Sequence, residues 1–490
     1  MKRTVLAFLI LMAGSATTWA QIDTLKQEAQ AVPAGAKWSL KQCIDYALSN
    51  NLAVQRSAYN VESSEVDLRQ SKYSRLPTLN GSASYGYSWG RGLDPVSNQF
   101  VSQEIKSSNL STNSSLLLFN SFRVNNQIKQ YQNAYAGSAE DLAKAKNDLI
   151  LNVANIFINV VFNKELVNNA RFQLESSQHQ LERTTKQVAA GALPKSEQLN
   201  LDAQVATNEV TLIQQENALA LSILRLKQAL RIPATQDLDV EIPNLTPEEL
   251  VIDQSRDEIY SVARQTMPEV RAAEFKIQSS QYAVRAARGN LYPRLSLNGG
   301  MNTNYSSTQE AQFYPDNTFR YGTNPVGYVN KDTGMPVYTV SPNGEYRKTY
   351  GVGNQFQDNI YKTLGLQLTI PILNGFTSRA AVQRSIVQNQ QAKINAQEIE
   401  QTLRQNVETA YNDAISSSKT YNSSLRQVAA RTEAFRMMEQ RYSAGAATSF
   451  EYQIAQNNLF QAQTDLSRAK YDFIFKKKVL DFYQGKPLEY

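Results

Sequence analysis

The chain has 490 residues, 42% hydrophobic and 19% charged, with a formal net charge of +6. One cysteine excludes an intramolecular disulfide framework and a cysteine metal cluster, and the single histidine, His179, is the one candidate base for a histidine-dependent hydrolase. The charge is mild for this length and no basic run interleaves with aromatics, which excludes nucleic acid as an expected partner.

Met1-Lys2-Arg3, the apolar run Val5 to Ala13 and Thr18-Trp19-Ala20 before Gln21 have the layout of a secretory signal peptide over residues 1–20. Removal of Lys2 and Arg3 leaves a net charge of +4, and no cysteine follows to carry a lipid anchor. Beyond residue 20 no apolar segment is expected to reach the roughly 18 residues that cross a bilayer as a helix. Any membrane span must then be made of strands.

Trp38 to Tyr73 reads as helix, with Cys43 as a small buried hydrophobe. After Pro77 the period switches to two: Leu79, Gly81, Ala83, Tyr85, Tyr87 and Trp89 alternate with Thr78, Asn80, Ser82, Ser84, Gly86 and Ser88. A partner strand carries Leu110, Thr112, Ser114, Leu116 and Leu118, and Asn120-Ser121-Phe122 marks the junction to the next element. Val153, Val160, Val167, Leu174, Leu181 and Val188 then step by seven, the mark of a supercoiled helix. His179, off that seam, reads as a solvated surface residue. A turn falls at Ala190-Gly191-Ala192-Leu193, Pro194 suits the first turn of a returning helix, and Val205, Leu212, Leu219 and Leu226 continue the heptads.

The whole order then recurs. Pro77 and Val54 match Pro293 and Val270 at an offset of 216, while Asn120 matches Asn374 and Gly191 matches Gly445 at an offset of 254. The spacing of 71 residues from junction to tip glycine is kept twice, as a helix on the order of 105 Å requires. The second copy repeats the helix (Ser255 to Asn290), two strands (Leu295 to Tyr305 and Leu364 to Ile372), the junction Asn374-Gly375-Phe376, the heptads Val407, Ala414, Tyr421, Val428, Phe435 and Tyr442, and the turn Ala444-Gly445-Ala446-Ala447. Its return helix carries Leu459, Leu466, Phe473 and Leu480. Between its strands it has 38 extra residues, with turn chemistry such as Asn324-Pro325 and Ser341-Pro342-Asn343-Gly344. They read as an enlarged outer loop at about 306–357, for which capping, ligand contact and neutral variation all stay open. The expected organisation is a signal at 1–20, repeats at 21–233 and 255–483, a linker at 234–254 and a tail at 484–490, with no independent domains.

Alternating segments of about ten residues with aromatics near one end are the sign of a transmembrane β-barrel, with a soluble hairpin as the competing reading. Four strands cannot close a barrel, and open edges are not tolerated in lipid, so several chains must contribute. A dimer would supply eight strands and a cyclic trimer twelve; the trimer is favoured because its helices leave room for a lumen where a dimer's leave little. The fold class is thus mainly α with a membrane β part, built on duplicated long antiparallel coiled-coil helices.

Pro371-Ile372-Leu373-Asn374-Gly375-Phe376, Tyr442-Ser443-Ala444-Gly445 and, more weakly, Asn50-Asn51-Leu52-Ala53-Val54 stand at the boundaries of this order. Together with the duplication, they make the chain resemble the TolC-like outer-membrane efflux duct family. The resemblance implies a homotrimer in the outer membrane of a Gram-negative bacterium, in contact with its lipid, continued by a helical tube into the periplasm. It also implies docking on a periplasmic adaptor protein, coupling to an inner-membrane pump of RND or ABC type, and no cofactor, metal or covalent chemistry. By position, Ala190, Gly191, Ala192 and Leu193 with Ala444, Gly445, Ala446 and Ala447 resemble adaptor-docking tips, although any helix end needs such a glycine. The family's acidic mouth corresponds to Glu451 and, nine residues past Gly445, Ile454; the first-copy equivalent of Glu451 is Glu197. Three copies of such a carboxylate would make a ring sensitive to pH and cations, and an ordinary solvated helix face is the competing reading. Ala447 stands where some members carry a latching arginine, which points to another latch, such as Lys195, or a looser mouth. A trimeric adhesin on a coiled-coil stalk and a periplasmic adaptor are the rivals; strands inside both repeats speak against each.

Overall fold

The computed structural model describes residues 37–94, 98–102, 104–242, 255–329 and 334–486. The expected signal, much of the expected linker and residues 487–490 lie outside them. In chain order the elements are β1 (Lys37–Trp38), α1 (Leu40–Asn50), α2 (Leu52–Tyr73), β2 (Thr78–Ser88), β3 (Arg91–Leu93), β4 (Phe100–Ser102), β5 (Ile105–Phe119), α3 (Arg123–Ala189), α4 (Lys195–Leu230) and β6 (Asp239–Val240). There follow α5 (Arg256–Thr266), α6 (Pro268–Gly289), β7 (Arg294–Ser306), β8 (Ala311–Tyr328), β9 (Pro336–Lys348), α7 (Val352–Asp358), β10 (Tyr361–Thr369), α8 (Thr377–Ser443) and α9 (Ser449–Tyr483). The two long helices α3 and α8 have 67 residues each, so the equal spacing in the sequence is an equal rod of about 100 Å.

Two compact units form. The first holds the described residues up to Ala58 with Leu142–Met267 and Thr402 onward; the second holds Tyr59–Asp141 and Pro268–Gln401.

In the first unit the heptads do what their period requires. Val153, Val160, Val167, Val407 and Ala414 are buried, as are Val205, Leu226, Phe473 and Leu480 on the return helices. Each large aliphatic or aromatic side chain so buried stabilises the fold by about 1.5–3 kcal/mol. Toward the turns the same seam relaxes, and Leu174, Leu181, Val188, Tyr421, Val428, Phe435 and Tyr442 are only half-buried. One 18-residue stretch of α3 is apolar enough, by length and composition, to cross a membrane, contrary to expectation. Its helix instead lends Val153, Ala154, Phe157, Val160 and Val161 to a core shared with Trp38, Cys43, Leu226, Leu230, Val240 and Tyr471. Cys43 is buried there as expected, and burial pushes its thiol up to about 12.

The helix expected from Trp38 to Tyr73 is in fact two. Trp38 belongs to β1, which pairs in parallel with β6, Trp38 opposite Val240. A capping box at Ser39 and Gln42 opens α1. The chain breaks at Asn51, extended at φ −72° and ψ 129°, whose side-chain oxygen accepts the Ala53 N–H at 2.8 Å. The second copy breaks 216 residues later at Met267 with φ −71° and ψ 129°, and there Pro268 opens α6 as a first-turn proline. Asn51 in one copy and Pro268 in the other serve the same kink by different chemistry.

The second unit carries a four-stranded antiparallel sheet in the order β10-β7-β5-β2. Its central pair joins the copies, Thr112 of β5 opposite Met301 of β7, and leaves β2 and β10 as open edges. Three strand expectations are corrected. β2 ends at Ser88, which leaves Trp89 beyond it. A bulge between Leu117 and Phe119 takes Leu118 out of the alternation, so that Phe119 pairs with Leu295. β10 ends at Thr369, which leaves Ile370 and Ile372 beyond it, because Pro371 has no N–H for a ladder. The expected loop at 306–357 is also corrected: β8 and β9 form a long two-stranded ribbon, followed by α7. The prolines that read as turns sit where its register shifts, at Pro315 and Pro325, while Phe319, Tyr321, Val337, Tyr338 and Val340 supply strand preference between them.

Candidate functional site

Both helical turns, in the first unit, end in the same motif. Gly191 (φ 73°) donates its N–H to Val188 O at 3.0 Å and Ala192 donates to Gln187 O at 2.9 Å; Gly445 (φ 70°) donates to Tyr442 O at 3.0 Å and Ala446 to Arg441 O at 2.8 Å. This is the Schellman arrangement, whose left-handed residue favours glycine. Ala190, Gly191, Ala192, Ala444, Gly445 and Ala446 are exposed, and Leu193 and Ala447 are half-exposed.

The helices that leave these turns start differently. Pro194 stands at the cap of α4, one residue outside the helix, with no side-chain hydrogen bond. Thr448 caps α9 through a capping box: its N–H donates to Glu451 Oε2 at 2.8 Å, its hydroxyl to the same oxygen at 3.0 Å, and the Glu451 N–H donates to Thr448 Oγ1 at 3.2 Å. The Thr448 N–H, then its hydroxyl, and more weakly Arg441 hold the Glu451 carboxyl below the usual carboxylate range. Glu451 is exposed. Glu197 has another role, since its carboxylate accepts the hydroxyl proton of buried Ser449 and so ties the first turn of α4 to that of α9. Ile454 is exposed.

Lys195 donates to Gln198 within its own helix at 2.7 Å. The arginine at the second turn is Arg441, which sequence reasoning passed over; its Nη2 donates to Ala446 O at 3.3 Å. Its signal was a basic residue in the last turn of a helix, where it complements exposed carbonyls. Behind the turn, Tyr452 packs against Tyr442 and Phe435 with ring centroids 5.0 and 5.3 Å apart, and Gln180 donates to the Tyr442 hydroxyl at 3.1 Å.

In the second unit the junctions also repeat. Ser121 and Phe122 have φ of 52° and 61°, Gly375 and Phe376 of 57° and 67°, and the bonds Arg123 N to Asn120 O (3.0 Å) and Thr377 N to Asn374 O (3.2 Å) close two tight turns. Two left-handed residues in succession are the pattern of a type I′ turn. The Asn374 side chain donates to Ser378 Oγ at 2.5 Å.

The sheet's two faces differ in kind. One presents Leu79, Tyr85, Tyr87, Leu364, Leu366 and Leu368, all exposed, with Lys106 and Lys362 near the ends of their strands, and Trp89 stacks on Tyr87 just past the end of β2. The other is a wall of hydroxyls and amides: Asn109 donates to Asn304 at 3.0 Å, Ser115 to Asn298 at 2.8 Å, and Asn298 to Gln367 at 3.0 Å. Within the described sheet the only charged residue of that parity is Arg294, the first residue of β7. Gly300 keeps the wall close, since a Cβ there would lie 3.0 Å from Thr363 Oγ1 and 3.1 Å from Asn113 Oδ1. The arrangement suits lipid on one side and water on the other. Among the described residues no group of three or more His, Cys, Asp or Glu is placed to hold a metal. His179 lies exposed beside Glu175 at 3.9 Å.

Comparison with known proteins agrees with this geometry. The chain is 23% identical over 450 residues to nodulation protein T of Rhizobium leguminosarum bv. viciae, covering 91% of this chain and 82% of that one. It is 21% identical over 446 residues to the outer membrane protein TolC of Escherichia coli, covering 90% and 80%. Among solved structures, CusC, described as forming a transmembrane channel, superposes with a TM-score of 0.72 at 17% identity over 93% of this chain and 96% of its own. The family described as outer membrane efflux protein matches residues 43–230 and 259–480, one segment in each repeat. The chain therefore belongs to the outer membrane efflux protein family and is an outer-membrane export duct.

Proposed function

We propose that three copies of this chain close a twelve-stranded barrel in the outer membrane and conduct cargo passively from the periplasm to the outside. The observation that carries this reading is the sheet with two open edges, β2 and β10, an exposed apolar face and a polar one whose single charged residue, among those described, is Arg294 at the start of β7. Open edges in lipid would leave a row of backbone groups unpaired at several kcal/mol each, and pairing β2 of one copy with β10 of the next removes them. The heptad seam that is only half-buried toward the turns supports the same assembly, because neighbouring copies supply the missing packing.

The turns at Gly191 and Gly445 are the proposed docking tips for a periplasmic adaptor that links the duct to an inner-membrane pump of RND or ABC type. Glu451 and Glu197 are the proposed acidic groups at the periplasmic mouth, and the duct carries out no covalent chemistry. The organisation we assign is the one read from the sequence: signal 1–20, repeats 21–233 and 255–483 joined by the linker 234–254, and the tail 484–490.

The test is mass determination in detergent followed by planar-bilayer conductance. A trimeric mass with a cation-sensitive conductance is the expected result. A folded trimer without any conductance overturns the duct as drawn, and a monomeric mass for folded, detergent-solubilised protein overturns the shared barrel.

A further inference from the structure

The β8–β9 ribbon is not part of the four-stranded sheet, and its two faces are unlike. Residues opposite one another along it are Phe313 and Tyr346, Phe319 and Pro342, Tyr321 and Val340, and Pro325 and Tyr338. Even spacing along both strands places them on one face. Arg320, Glu345 and Arg347 fall on the other, where Arg347 lies over the Tyr314 ring at 5.5 Å. Phe313, Phe319, Tyr321, Tyr338, Val340 and Tyr346 remain 37% to 74% exposed among the described residues, an apolar face left largely open. An isolated ribbon with such a face is marginal in water, so something covers it.

Three observations select the occupant. Prolines at 315, 325, 336 and 342 blunt the edges against strand addition, which leaves contact through the face. The six side chains expose roughly 600 Å², taking 150–250 Å² for a full aromatic side chain. That falls short of the ~800 Å² a side of a standard interface between free partners, but it is ample for copies already held at the millimolar effective concentration of a shared assembly. Reach is the third. Twelve strands spaced ~4.8 Å apart and tilted ~40° enclose a wall of radius about 12 Å. The 13 residues of β9 extend ~43 Å, so a ribbon rising from the end of β7 reaches the axis with length to spare.

We propose that the apolar faces of three ribbons, one from each copy, meet over the outer mouth of the barrel and form a six-stranded cap. This rests on the trimeric reading above. Cys43 is buried, so single cysteines placed on neighbouring residues of opposite faces report the contact cleanly. Tyr321→Cys and Arg320→Cys are each purified as detergent-solubilised protein of verified mass and oxidised with copper phenanthroline, and Tyr321→Glu is compared with wild type in bilayers. The expected result is severalfold more disulfide-linked dimer from Tyr321→Cys than from Arg320→Cys, with a conductance in Tyr321→Glu raised severalfold. A trimer in which both variants cross-link equally, or neither does, overturns the cap and leaves the duct intact. A protein that is not trimeric before oxidation overturns the trimeric reading itself. Protection of Tyr321→Cys from a hydrophilic maleimide on intact cells but not in purified trimers would assign the face to a separate surface partner and overturn self-contact.

Discussion

Thr448→Ala removes the hydroxyl that accepts the Glu451 N–H and donates to the Glu451 carboxylate, and leaves the backbone N–H of residue 448 as that carboxylate's remaining cap partner. Loss of a threonine N-cap costs about 0.5–2 kcal/mol, typically ~1, which raises the population of an uncapped first turn about fivefold. Thr448→Ser keeps the hydroxyl and should behave as wild type. Amide hydrogen exchange at Ser449–Tyr452 should quicken by that factor in Thr448→Ala, whatever the turn does in transport. If the first turn of α9 also helps to close the mouth, single-channel recordings at pH 7 should show about fivefold more openings. Acid gives an independent handle. The Glu451 carboxyl is held below its ordinary value of 4.5 because the capping bonds favour its charged form. The cap's contribution is therefore complete above pH 4.5 and is lost as pH falls through the lowered value. Wild type should open more in acid, and Thr448→Ala, which loses the hydroxyl bond to Glu451 but keeps the backbone N–H bond, should show a smaller response. If exchange quickens in Thr448→Ala while its gating and its acid response match wild type, the capped turn is not the closing element.

The polar wall makes a second prediction: Asn298→Asp places a carboxylate between Ser115 and Gln367 in every copy, and the cation-to-anion permeability ratio from reversal potentials should rise severalfold. An unchanged ratio would mean that this face does not line the pore. Cys43, buried and with its thiol raised to about 12, should resist maleimide at pH 8 in the folded protein and react fully once denatured. Tyr471→Phe removes a 2.6 Å bond from a buried hydroxyl to the half-buried Glu165 carboxylate, and should lower stability by about 1–2 kcal/mol, read as a lower midpoint in thermal or denaturant unfolding.

Long-range spacing made much of this fold readable. Two offsets, 216 and 254, place both kinks and both tip glycines on matching positions, because a helix converts residue number directly into length. Period two identified the four strands for the same reason. The misreadings have local causes. Trp38 was given to a helix because nothing in two residues of strand reveals a parallel partner some two hundred positions away, at Val240. The ribbon was taken as loop because its prolines read as breaks, whereas a two-stranded edge accepts proline where its register shifts. At the tips, position pointed to Glu451 and Glu197, but their bonds were not legible: the partner of Glu197 is Ser449, more than 250 residues on. The Thr448 and Glu451 spacing is a capping box and could have been read from the sequence alone.

What the two repeats hold in common is geometry, and what they have lost in common bears on function. Rod length, the Schellman turns and the left-handed junctions are shared, since each fixes a position that a symmetric assembly must reproduce. The helix starts beyond the two tips differ. α9 opens with a complete capping box, whereas Pro194 offers α4 no side-chain acceptor, a difference worth about 1 kcal/mol at the first turn. The hydroxyl of Ser449 on Glu197 partly offsets it by tying the weaker start to the stronger one. The two starts are thus joined through Ser449, one residue past the Thr448 cap, whereas Lys195 bonds only within its own helix, to Gln198.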